Sequence, residues 1–180
     1  MNRCASCLLF LLFALPAAGR AAEQASHGPV ITGYGPVFDI ASTRFEIDTA
    51  ADWKVLFDIA ATGTDRSAIN GRIESLARFL NMHARAGVPV ERMKLAVILH
   101  GGATMSGLSD AAYRERFGVD NPNTALIEAL VKAGVQFWQC GQSAAFNEVA
   151  ADELSPHVGM ALSAMTVVSQ LQRAGYTLQP

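Results

Sequence analysis

Three stretches of the chain carry apolar residues at helical spacing, and each runs into the same closing phrase. Ile69, Ile73, Leu76 and Leu80 lead to Arg85-Ala86-Gly87; Leu126, Ile127, Leu130 and Val131 lead to Lys132-Ala133-Gly134; Val158, Ala161, Leu162, Met165 and Val168 lead to Arg173-Ala174-Gly175. Residues three and four apart share one helix face. A cation in the last turn complements the carbonyl end, and a glycine just past it takes the left-handed conformation that closes the helix. The pattern predicts three helices. Asn121-Pro122 and Ser155-Pro156 each pair a capping side chain with proline at the first helical position, and Thr64 or Asp65 caps the earliest helix. Met160 and Met165, on the last of them, read as core residues.

Short apolar runs separate the helices: Trp53 to Ala60, Lys94 to Leu99, Val135 to Gln139 and a weaker Tyr176 to Leu178. They predict strands. KLAVIL is nearly continuous in apolar character, as expected of a strand covered on both faces. Strand and helix alternating in this order give right-handed crossovers, hence a three-layer α/β fold with a parallel sheet and helices on both faces. Residues 51–180 form that single domain. Residues 22–50, rich in Gly, Pro and Thr, are expected as an irregular arm with an edge strand at most.

The first residues change the picture of where this domain works. Arg3 precedes an apolar run from Leu8 to Leu15, Pro16 breaks it, and small residues follow. That is the pattern of a secretory signal peptide over residues 1–21, and its apolar run falls short of the roughly 20 residues that span a bilayer. The expected location is periplasmic or secreted, with no membrane anchor after cleavage. Cys4 and Cys7 have the spacing of a redox pair but lie inside the leader, so Cys140 is the one cysteine of the mature chain. Without Arg3 and Arg20, 12 basic residues face 16 acidic ones, and no stretch gathers Lys or Arg. This argues against nucleic acid and anionic membranes as partners.

In open parallel sheets the ligand crevice lies beyond the carboxyl ends of the strands. Those ends carry His100-Gly101-Gly102 and Cys140-Gly141-Gln142-Ser143. A helix starting near Ser143 would turn its free N–H groups toward the sulfur of Cys140, favouring thiolate over thiol. His100, ending the strand beside it, is placed to pair with the thiol or relay its proton. The plainer alternatives stay open: a buried structural cysteine, and a histidine bonded to nearby backbone. A Cys-His-Asp/Asn hydrolase using Asn123 or Asp120 is a further alternative that no spacing selects. Tyr113, Arg114 and Arg116 are expected on a short helix leaning over the crevice, the arginines on a solvated face or holding an anion.

Several chemistries drop out. HGGATMSG lacks the lysine and spacing of a P-loop, and there is neither a GxGxxG nor a GxSxG motif. The four histidines, at 27, 83, 100 and 157, include no pair at metal-ligand spacing. No metal and no cofactor is expected.

The segments HGGA, DNPN, CGQS and ALSAMT, within the run from Trp53 to Pro180, resemble the exported branch of the DsrE/DsrF-like family of small sulfur-handling proteins. The resemblance implies a flavodoxin-like parallel fold and a homo-oligomer, trimeric or hexameric. It also implies a strand-end cysteine that carries a persulfide between an unidentified sulfur donor and acceptor. By position that cysteine is Cys140, with His100 poising it and Gly101, Gly102, Asn123, Gly141, Gln142 and Ser143 as candidate binding residues. Two other readings stand beside it: a non-catalytic oligomeric binding protein whose Cys140 crevice holds a small ligand or is structural, and a redox sensor that forms an intermolecular disulfide.

Overall fold

The computed structural model describes residues 24–179. The leader expected over residues 1–21, with Cys4 and Cys7, lies outside them. Five strands form one sheet: β1 (Trp53–Ile59), β2 (Met93–Leu99), β3 (Gln136–Cys140), β4 (Val158–Ala161) and β5 (Thr177–Gln179). Their order is β4-β3-β2-β1-β5, and every neighbouring pair is parallel. The chain therefore steps outward from β1 to β4 and then returns across the sheet to place β5 beside β1.

That route decides where the helices go. Helix α1 (Gly71–Arg85) and helix α3 (Thr124–Lys132) belong to crossovers that step the same way, so right-handedness puts both on one face, where they pack together. Between them α2 (Asp110–Phe117) follows a 3-10 segment over Gly101–Gly107. A single turn and a half, α4 (Gly141–Phe146), follows β3, and α5 (Ala164–Arg173) makes the return crossover on the opposite face. The expected three-layer α/β arrangement is the one found.

Alternation along the strands divides the core in two, because successive residues point to opposite faces. Val55, Phe57, Leu95, Val97, Leu99 and Phe137 meet α1 and α3 through Ile73, Leu76, Leu80, Leu126, Ile127 and Leu130. Leu56, Ala96, Ile98 and Cys140 meet α5 through Val167. Burial of each such side chain stabilises the fold by about 1.5–3 kcal/mol. The β2 run is apolar throughout because it is covered on both sides.

The structure corrects the third predicted helix. Val158 to Ala161 form β4, paired with Phe137 to Cys140, and α5 begins only at Ala164, capped by Ser163 Oγ accepting from Thr166 N at 3.1 Å. Ladder hydrogen bonds win over the helical spacing of Val158, Ala161 and Leu162 because Gly159 lets the strand lie against Trp138: a Cβ there would be 2.8 Å from the indole ring. Met160 and Met165 consequently lie at the surface instead of in the core. Caps shift as well. Asn70, not Thr64 or Asp65, caps α1 by accepting from Arg72 N at 3.0 Å, while Asp65 closes a turn on Ser67. Asn123, not Asn121, occupies the cap position of α3. The three glycine stops hold, Gly87, Gly134 and Gly175 all lying near φ +90°.

Among the described residues before β1, 24–52, there is one isolated bridge, Ser26 to Val37, and no strand. This stretch lies along its own α1 and buries Ile31 and Val37. The buried Asn81 holds it: Oδ1 accepts from Val30 N (3.0 Å) and Ile31 N (2.8 Å), and Nδ2 donates to the carbonyls of Ile31 (3.0 Å), Tyr34 (3.1 Å) and Gly35 (3.3 Å). Arg85 adds bonds to the Gly28 and His27 carbonyls and to Ser26 and Asp39. Gly35, with φ +61°, sits so close to α1 that a Cβ would meet Arg78 N at 2.2 Å.

Candidate functional site

Period-two alternation gathers the chemistry. On β1, Leu56 faces α5, so Asp58 does too; on β2, Ala96 and Ile98 face α5, and His100 continues the series; on β3, Trp138 and Cys140 take that face. Leu99 pairs with Gln139, so one step further His100 comes opposite Cys140. All three side chains line one cleft of about 430 Å³ at the carboxyl edge of the sheet. The other lining residues are Gln142, Ser143, Ser163, Ala164, Met165 and Val168.

Asp58 accepts a 2.6 Å hydrogen bond from His100 Nε2. A carboxylate only accepts, so Nε2 carries the proton and Nδ1 keeps a free lone pair in the neutral ring. The pair is thus an oriented base. Sequence reading missed Asp58, although its signal was there: a carboxylate between Phe57 and Ile59, at the apolar end of WKVLFDI.

Cys140 is both the last residue of β3 and the N-cap of α4, two residues earlier than the helix expected near Ser143. Its Sγ accepts from Ser143 N at 3.5 Å. Burial pushes the thiol up, yet the Ser143 hydroxyl and the N–H groups of Ser143, Ala164 and Gln142 favour the thiolate and together hold Cys140 below its ordinary value. Ala164 opens α5, so a second helix also presents an N–H to the sulfur. That donor was hidden in the sequence by the wrong start given to this helix.

The glycines have steric duties. A Cβ on Gly141 would stand 2.7 Å from the Ala161 carbonyl oxygen and 3.2 Å from that of Leu162, so only glycine lets α4 start this close to β4. Gly101, at φ +52°, would bring a Cβ within 3.0 Å of Ala60 O and donates its N–H to Ser143 Oγ at 3.1 Å. Gly102 is less crowded, at 3.5 Å from the same oxygen. Gln142 donates to Leu162 O at 3.4 Å, tying α4 to the loop before α5. The buried Gln139 donates to Thr104 Oγ1 and to Cys140 O, both at 3.2 Å, steadying the strand end.

Other expected members fall elsewhere. Asn123 is buried in an amide cluster away from the cleft, accepting from Asn70 N at 2.8 Å and donating to Asn121 Oδ1 at 2.9 Å. Its carboxamide is committed to joining α1 and α3. Asp120 pairs with Arg114, and Arg116 pairs with Glu153 and donates to the carbonyls of Asn147 and Glu148. Helix α2 exists, but neither arginine lines the cleft. The orienting partner of His100 is Asp58, so the hydrolase arrangement through Asn123 or Asp120 is not formed. Among the described residues no group of three or more His, Cys, Asp or Glu gathers to hold a metal ion.

A parallel α/β sheet thus carries a thiol at a strand end, in one cleft with a histidine held by a carboxylate. The family model for the DsrE/DsrF-like family matches residues 54–180, and the chain belongs to that family. At family level this membership points to a role in sulfur relay. Among solved structures the chain is similar to MTH1491 from Methanobacterium thermoautotrophicum, a protein described as of unknown function. The TM-score is 0.52 and the identity 15%, with 71% of this chain and 98% of that one covered. The likeness supports the fold alone. No curated protein matches the chain.

Proposed function

We propose that the protein is an exported sulfur carrier: Cys140 takes a sulfane sulfur from a donor, holds it as a persulfide and passes it to an acceptor. The observation that carries the reading is Cys140 Sγ capping α4, where it accepts from Ser143 N at 3.5 Å, with the Ser143 hydroxyl and the N–H groups of Gln142 and Ala164 also favouring the thiolate. A carrier needs a thiolate to attack the donor and dipoles to shelter the persulfide anion. It also needs no second cysteine nearby, because that thiol would collapse the persulfide into a disulfide; Cys140 stands alone among the described residues. The Asp58–His100 pair takes the proton of the thiol and returns it to the departing group.

Two further parts of the proposal rest on other features. The leader pattern of residues 1–21 supports work outside the cytoplasm. The exposed Phe38, Ile40 and Phe45 of the N-terminal arm support a homo-oligomer in which they are covered.

The second reading, a binding protein with a structural cysteine, draws on the low exposure of Cys140, 4%, and its packing with Leu56, Ala96, Ile98 and Val167. One experiment separates the two. Intact mass of the purified protein is followed with excess polysulfide, beside Cys140→Ser and Asp58→Asn. The carrier reading expects one added sulfur on the parent, reversed by reductant, absent from Cys140→Ser and formed more slowly in Asp58→Asn. A folded parent that gains no sulfur, and whose thiol reacts with alkylating reagents only after denaturant, would leave the binding reading.

A further inference from the structure

Resting on the carrier reading, we propose that the donor served by Cys140 is an organic persulfide with an uncharged, apolar tail, and not a sulfur oxyanion. The cleft decides this by its walls. None of its lining residues is Lys or Arg, and its one permanently acidic group is Asp58, engaged by His100. An oxyanion such as thiosulfate brings two negative charges and releases sulfite, and beyond His100, already engaged by Asp58, the cleft offers no cationic side chain to meet them. The Ser143 N–H points at Sγ, where the persulfide forms.

The surroundings extend the argument. Arg114 and Arg116 are paired elsewhere, and Arg72 and Arg78 line a neighbouring cavity beside α1 that shares only Asp58 with the cleft. On the α5 side, Leu154 to Gln172 contains no Asp, Glu, Lys or Arg over its whole length. What α5 presents to the cleft is the thioether of Met165, 77% exposed, and the methyls of Val168. A soft, adaptable side chain left at the surface beside a nucleophile suits a carbon tail and is a poor neighbour for sulfonate oxygens.

The transfer balances without any added oxidant. Cys140 thiolate attacks the outer sulfur of R–S–SH; the new Sγ–S bond forms as the donor's S–S bond breaks, and the electron pair leaves on R–S⁻. The proton of the transferred sulfur passes through His100 Nδ1 to the leaving thiolate. The products are the Cys140 persulfide anion and R–SH.

The test measures loading of Cys140 by intact mass with butyl persulfide generated in situ and with thiosulfate, each rate divided by that of free cysteine with the same donor. The normalised rate with butyl persulfide is expected to exceed that with thiosulfate by about tenfold or more, the discrimination typical of a few methylenes in an apolar site. Met165→Lys, at an exposed position that does not threaten the fold, sets a cation on that wall and should shrink the ratio by about tenfold. A normalised rate with thiosulfate equal to or above that with butyl persulfide overturns the donor class while leaving the carrier intact, and so does a ratio untouched by Met165→Lys. Loading by neither donor in a folded protein overturns both.

Discussion

Replacing Asn81 by alanine isolates what fastens the N-terminal arm. The side chain is fully buried and makes five hydrogen bonds to four arm residues, so its loss strands two N–H groups and three carbonyls against α1. At about 1 kcal/mol net for each of the three bonds of 3.0 Å or less, and about half that for each of the two longer ones, the loss comes to about 3–4 kcal/mol if the arm stays in place. The chain has an alternative. It can let the arm go, exposing Ile31 and Val37 at about 1.5–3 kcal/mol each and hydrating the freed backbone. The cheaper route sets the result, and both fall near the same figure. Urea unfolding of Asn81→Ala should therefore show a loss of about 3 kcal/mol. Limited proteolysis with chymotrypsin tells the routes apart, because a released arm is cut after Tyr34 under native conditions, whereas a retained one keeps Tyr34 packed against the core. A loss below about 1 kcal/mol with an unchanged cleavage pattern would refute the idea that this carboxamide clasps the arm.

Other expectations concern the site and its support. Ser143→Ala removes the hydroxyl but keeps the N–H donor, so the pH profile of Cys140 alkylation should move upward and the rate at pH 7 should fall several-fold, by about one charge-assisted hydrogen bond weakened by the open cleft; an unmoved profile would clear Ser143 of that role. Gly141→Ala should cost about 1–3 kcal/mol in chemical denaturation, because its Cβ meets two backbone carbonyls that cannot swing away, whereas Gly102→Ala should change stability by less than half as much. His83 stacks on Phe79 with ring centroids 3.8 Å apart, and burial holds its pKa below the usual 6.5. A depressed base stabilises the fold fully above its unfolded value, and that contribution is lost as pH falls below about 6.5. Unfolding free energy should accordingly drop between pH 7 and 5, with a shallower slope in His83→Gln.

Reading periodicity recovers most of this fold because its elements are signed at their ends. Arg85-Ala86-Gly87 and its two repeats mark true helix stops, and KLAVIL betrays a strand covered on both sides. The failure came where two periods overlapped: Val158, Ala161 and Leu162 satisfy a helix on paper, but the register with β3 and the flat contact of Gly159 on Trp138 are tertiary facts. That error concealed Ala164, whose N–H can be placed on Cys140 only once α5 starts in the right position. Cys140 and His100 were legible because both end apolar runs. Asp58 lies inside one, and its importance emerges only when the faces of three strands are aligned. Asn123 misled for the opposite reason: an amide in the turn between α2 and α3 looks available, and only the interior partners Asn70 and Asn121 reveal that it is spent on scaffolding.

The placement of Asp58, His100 and Cys140 on neighbouring strands divides labour within the cleft. Their mutual spacing is ruled by the sheet ladder, whose strands sit roughly 4.8 Å apart and cannot drift without breaking many bonds at once. The opposite wall belongs to one amphipathic helix whose outward side chains touch no such constraint. On the proposed function, reactivity is written into the rigid part of the molecule, while the taste for one donor over another is written on a surface where single substitutions are cheap. Descent with the same sheet would then keep the proposed sulfur chemistry constant and let the choice of substrate wander.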